Sequence, residues 1–82
     1  MEEKRLAVIA IVVENMESVS KLNEILHQFG SYIIGRMGIP CRDRNVCLIS
    51  IGIDAPNDVI SSMTGKIGKL DGVSVKAAYS KV

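Results

Sequence analysis

The sequence predicts an α+β domain of the ferredoxin-like βαββαβ kind, a four-stranded antiparallel sheet with two helices on one face. Three observations carry this. Strand-like and helix-like segments alternate in that order along 82 residues, the first and last crossovers are each long enough to hold a helix, and the middle two strands are joined by a short polar turn. A chain of this length forms one domain, residues 1–82, and removes only about 60% of its unfolded surface from water, so a partner surface would add materially to its stability.

Leu6 to Val13 (LAVIAIVV) is apolar without alternation and rich in β-branched residues, the pattern of a central strand covered on both faces. Asn15 then offers an N-cap and Glu17 a negative charge in the first turn. Val19, Leu22, Leu26 and Phe29 recur at helical spacing, so a helix is expected from about Met16 to Phe29, stopping at Gly30.

Tyr32 to Cys41 (YIIGRMGIPC) is β-rich but carries Gly35, Gly38 and Pro40; a residue without an N–H belongs on a sheet edge. Arg42 to Asn45 forms a turn, and Val46 to Ile53 a third strand, with Cys47, Ile49, Ile51 and Ile53 on one face and Val46, Leu48, Ser50 and Gly52 on the other. Strands two and three thus make a hairpin.

Pro56, Asn57 and Asp58 open a second helix whose apolar side is Ile60, Met63, Ile67 and Leu70, closed by Asp71-Gly72. Val73, Val75, Ala77 and Tyr79 alternate with Ser74, Lys76, Ala78 and Ser80 in a last strand with one wetter face. Two helices cover one face of such a sheet. The first and third strands are apolar on both sides, so the helix-free face is expected to close on another copy of the chain, as a homodimer or homotetramer.

Composition narrows the function. An apolar fraction of 48% and a charged fraction of 23% describe a folding domain, and a net charge of +1 without charge runs gives no footprint for nucleic acid or an anionic membrane. No run is long enough to cross a bilayer and the start MEEKR lacks a signal-peptide pattern, so a cytoplasmic setting is expected. The central strands lack the exposed aromatics of an RNA-recognition domain, and Glu14 to Glu17 lacks the paired cysteines of a metal-transfer domain.

His27 is the sole histidine and reads as a surface residue, without a nucleophile marked near it. Asp43, Asp54, Asp58 and Asp71 fall where turns and caps place them. No catalytic set is expected. Cys41 and Cys47, around the hairpin turn, read as a disulfide, half a metal site or two ordinary apolar side chains, the last being the default in a reducing compartment.

Two motifs stand out as ligand-binding candidates. In Gly35 to Pro40, Arg36 could grip a carboxylate or phosphate beside Gly38 and Pro40, or simply guard the edge in solvent. In the second helix, Ser61, Gly65 and Gly68 form a small-residue stripe pointing away from its apolar side. Interior glycines weaken a helix, so this stripe reads either as a place of close approach for a ligand or backbone, or as a helix that breaks near Gly65.

Val12-Val13-Glu14, Arg36-Met37-Gly38-Ile39-Pro40 and the stretch from Thr64 to Lys76 (TGKIGKLDGVSVK) together resemble the family of iron-only hydrogenase system regulators, over almost the whole chain. The resemblance implies an ACT-like fold related to the ligand-binding half of the nickel-responsive ribbon-helix-helix repressor, and a regulatory role near hydrogenase maturation. That repressor holds nickel with edge-strand histidines and a cysteine; here Ile39 stands where a histidine is wanted and only Cys41 and Cys47 echo the ligands, so no metal or cofactor is carried over. The glycine-containing turn of amino-acid-binding ACT domains is absent from Glu14 to Ser18.

The expected function is a homo-oligomeric regulatory or ligand-sensing module, with a small-molecule effector. No DNA-binding motif is legible, so DNA or the hydrogenase-maturation machinery would be reached through a separate partner. Two other readings are a metal or redox sensor in which Cys41 and Cys47 meet across the hairpin, and a small-molecule enzyme with an inter-subunit site.

Overall fold

The computed structural model describes residues 3–81. Along the chain run β1 (Lys4–Val13), α1 (Val19–Gln28), β2 (Ile33–Cys41), β3 (Val46–Pro56), α2 (Asn57–Gly68) and β4 (Val73–Tyr79), with 3₁₀ turns at Met16–Ser18 and Gly30–Tyr32. The sheet order is β2-β3-β1-β4, every neighbour antiparallel. This is the ferredoxin-like βαββαβ arrangement, with β1 and β3 central and β2 on an edge.

Strand period and burial agree along β1, where Ala7, Ile9, Ile11 and Val13 are buried and the residues between them are not. Ile49, Ile51, Ile53 and Ala55 of β3 lie on the same side. Over them pack Leu22 and Leu26 from α1 and Ile60, Met63 and Ile67 from α2. A fully buried side chain of this size contributes about 1.5–3 kcal/mol, so this one layer holds the fold. Both helices cover one face; β1 is therefore covered on one side alone within the chain, not on both.

Several boundaries shift from the sequence reading. Met16–Ser18 is a 3₁₀ turn, because the Asn15 side chain accepts from the Glu17 N–H at 3.0 Å and tightens the entry; the α-helix starts only at Val19. Pro56 ends β3 rather than joining α2, with an extended ψ of 151°. α2 does not break at Gly65 but continues through Gly68, since Ile60, Met63 and Ile67 anchor it from below. A Cβ at Gly68 would lie 3.5 Å from Val75 Cγ1, so that glycine sits over β4 rather than pointing freely outward.

The two crossovers are fastened at one corner. The Glu14 N–H donates to the Gly72 carbonyl (2.7 Å), Asn15 Nδ2 donates to Asp71 Oδ2 (2.8 Å), and the buried Ser18 Oγ donates to the Asp71 carbonyl (2.6 Å). Gly72 has φ +69°, and a Cβ there would sit 2.5 Å from Asn15 Cβ. Only glycine tolerates both the left-handed backbone and the contact.

Candidate functional site

The helix-free face is built by the residues that alternate with the core. Register lines them up in rows across the sheet, in the strand order β2, β3, β1, β4. Gly35, Gly52, Val8 and Ala78 form one row; Met37, Ser50, Ala10 and Lys76 the next; Ile39, Leu48, Val12 and Ser74 the third. Beyond the first row lie Leu6 and Asp54.

A bulge decides which part of β2 joins this face. Ile33 pairs with Ile53 and Gly35 with Gly52, which leaves Ile34 as an extra residue. One added residue reverses the alternation. Ile33 therefore packs against the core, Ile34 lines the open face with Leu6 and Val8, and Met37 and Ile39 point outward while Arg36 turns to the helix side.

The result is an unusually oily surface. Leu6, Val8, Ile34, Met37, Ile39 and Leu48 remain 44–65% exposed. Two apolar hollows lie on it. One, of about 420 Å³, is bordered by Leu6, Val8, Ile34, Gly52, Ala78 and Tyr79; the other, of about 250 Å³, by Val12, Met37, Ile39 and Leu48. Charge enters at the margins, as Lys76 on β4 and Asp54 near the end of β3. Such an arrangement offers contact area and shape, the means of binding another apolar surface.

The residues singled out from sequence fall elsewhere and apart. Arg36, Gly38 and Pro40 lie on the helix side of β2, in register with Ile51, Ile49 and Cys47. Arg36 Nη2 donates to Asn23 Oδ1 of α1 at 2.8 Å, an exposed bond to a neutral acceptor. Gly65 and Gly68 belong to α2, and Gly68 lies over β4, at the other edge of the sheet. Three strand spacings, about 14 Å, separate the two edge strands, so these five residues do not form one site.

Cys41 pairs with Val46, and Cys47 with Pro40. The two cysteines thus occupy adjacent rungs and opposite faces, Cys47 packing against the core, and both are free thiols. The expectation that their sulfurs meet across the hairpin is overturned by this alternation. Among the described residues no three of His, Cys, Asp and Glu gather as a metal-holding group. His27 is exposed on α1, beside Asn23 and Glu24. No helix of the described residues is long and apolar enough to cross a membrane.

Sequence reasoning found the open face but not its residues on β2, because the bulge changes their side. The pair Ile33-Ile34 followed by Gly35 was the available signal: two adjacent apolar residues beside a strand glycine mark a bulge.

A family model with the description "TM1266-like: Iron-only hydrogenase system regulator, putative" matches residues 5–77. Among solved structures, the chain resembles the uncharacterized protein TM1266 from Thermotoga maritima, at 36% identity and a TM-score of 0.92, over 96% of this chain and 100% of that one. The C-terminal domain of the MgtC protein from Mycobacterium tuberculosis shares the fold at 12% identity and a TM-score of 0.70, over 99% and 93%. A formyltetrahydrofolate deformylase from Pseudomonas putida KT2440 shares it at 10% identity and 0.64, over 89% of this chain and 28% of that one. No curated protein matches the chain.

Proposed function

The chain belongs to the TM1266-like family, and from that premise we propose that it is a non-catalytic regulatory module of the iron-only hydrogenase system that works as a homo-oligomer closed over its open sheet face. The family description supports the regulatory part. The observation that carries the assembly is the width of the exposed apolar surface, which spans β2, β3 and β1 and is continued on β4 by Ala78.

Area supports the same reading. Four strands at about 4.8 Å spacing and roughly eight residues at about 3.4 Å give a projected face of roughly 500–600 Å², and side-chain relief raises its accessible area further. A specific interface takes at least about 1,000 Å² in total, about 500 Å² from each partner. One face of this chain is therefore large enough to meet that need when a second copy lies on it.

A small-molecule effector would act by shifting the assembly, and the signal would pass to a separate partner that contacts DNA or the hydrogenase-maturation machinery. Free thiols at Cys41 and Cys47 suit a reducing cytoplasm. Native mass spectrometry of the full chain tests the proposal, since it reports subunit count and retained ligand together. A dimer or tetramer is expected at micromolar concentration; a monomer throughout that range would remove the basis of the reading.

A further inference from the structure

Gly35 and Gly52 stand side by side on adjacent strands of the open face, Gly35 directly after the bulge at Ile34. Neither has a positive φ. A Cβ on Gly35 would meet nothing within 4 Å, and one on Gly52 would meet only the Gly35 backbone at 3.9 Å, an ordinary contact. A strand glycine costs about 0.5–1 kcal/mol relative to alanine. Two of them opposite each other leave a notch, and the hollow of about 420 Å³ borders it.

Two rows away along the same pair of strands stand Ile39 and Leu48, 51% and 44% exposed. Notch and knobs flank the middle row, Met37-Ser50-Ala10-Lys76, at equal distances of two residues, about 7 Å. A surface with a projection and a recess placed symmetrically about its centre is complementary to itself.

We propose that two copies stack with their two-fold axis across the strands, along the middle row, so that Ile39 and Leu48 of each copy fill the notch at Gly35 and Gly52 of the other. This rests on the reading that the open face closes on a second copy. A two-fold axis in the interface can instead run along the strands. That would lay β2 over the partner's β4 and β3 over its β1, so that Gly35 faces Ala78, Gly52 faces Val8, Ile39 faces Ser74 and Leu48 faces Val12. Only Gly52 would then receive a large side chain, Gly35 would stay open over Ala78 while Leu48 meets Val12, and unfilled space at an interface is unfavourable at the density of protein interiors. The axis across the strands sets large against small on both β2 and β3. It brings the two copies of Lys76 near one another at the sheet edge, where a long side chain carries its ammonium group into water.

An exchange of knob and notch in the full chain tests this. Gly52→Val has room within the chain and should fold with the circular dichroism of the parent, but it should weaken dimerisation at least about tenfold by overpacking. Leu48→Ala empties the space that the introduced valine needs in the partner. The double variant should therefore dimerise more tightly than Gly52→Val alone. A double variant no tighter than that single one, with a dimeric parent, overturns the axis. A monomeric parent overturns the underlying reading instead.

Crosslinking supplies a readout independent of those variants. With Cys41→Ser and Cys47→Ser, Met37→Cys should crosslink to itself through a short bismaleimide, because the two copies of position 37 then face each other about 10 Å apart across the stacked sheets. An axis along the strands would hold them about 17 Å apart. A dimer that persists in sedimentation but leaves position 37 uncrosslinked also overturns the arrangement.

Discussion

Val8→Lys separates the assembly from the fold. Val8 lies on the central strand β1, 50% exposed, in the row of Gly35, Gly52 and Ala78. In the separate chain the lysine extends from a half-open position, and stability should move by no more than about 0.5 kcal/mol. In the closed assembly the remaining half of the valine is buried in each copy, worth about 0.8 kcal/mol apiece from about 1.5 kcal/mol for a whole one. The two ammonium groups must also leave water, at several kcal/mol each, partly relieved as their stems bend toward the edge. A total of about 4 kcal/mol corresponds to roughly a thousandfold in Kd. Sedimentation velocity over the micromolar range should show Val8→Lys as monomer, with Val8→Ala weakened only about tenfold. A Val8→Lys chain that keeps its circular dichroism and melting temperature and still sediments as the parent does would refute the reasoning.

Other consequences are separable from that one. Gly72→Ala should cost about 2–5 kcal/mol, from about 1–2 for a left-handed alanine and about 1–3 for the clash with Asn15, and lower the melting temperature by at least about 10 °C; urea titration checks it, and an unchanged midpoint would contradict the corner geometry. Under mild oxidation Cys41 and Cys47 should both stay open to alkylation, two groups per chain by mass spectrometry, because they face opposite sides of the hairpin; an intrachain disulfide would contradict the register. Arg36→Ala should change stability by about 1 kcal/mol or less and leave the subunit count unchanged, since Arg36 makes one exposed bond to Asn23 on the helix side. A large change in either quantity would give Arg36 a ligand or a partner.

Element order and most of the buried face were legible because periodicity reports burial directly: Ile49 and Ile51 alternate with polar or small residues on β3, and Leu22, Leu26, Ile60, Met63 and Ile67 recur at helical spacing. The unbroken apolar run of β1 hid which side Ile9 and Ile11 take. The open face followed by counting, since two helices cover one side and β1 is apolar on both. What the pattern missed depends on contacts distant in sequence. Gly72 reads as an ordinary helix stop, and only the docking of Asn15 reveals why nothing larger fits. Gly65 and Gly68 drew attention as costly helix residues, yet α2 tolerates them because its three buried anchors outweigh about 1 kcal/mol each. Arg36 and the cysteines were read one strand at a time, whereas their sides are set by pairing with β3 and by the extra residue at Ile34.

The first strand of the chain is the spine of the sheet, and that has a kinetic consequence. β1 gains its neighbours from residues 47–56 and 73–79, so its ladders must wait for distant segments, while the β2-β3 hairpin closes locally. A nascent chain would carry β1 as an unpartnered apolar stretch until most of the domain has been made, and folding should be governed by long loop closures rather than by helix formation. Slow closure of that spine is also when such a sticky stretch is most open to pairing with the wrong neighbour.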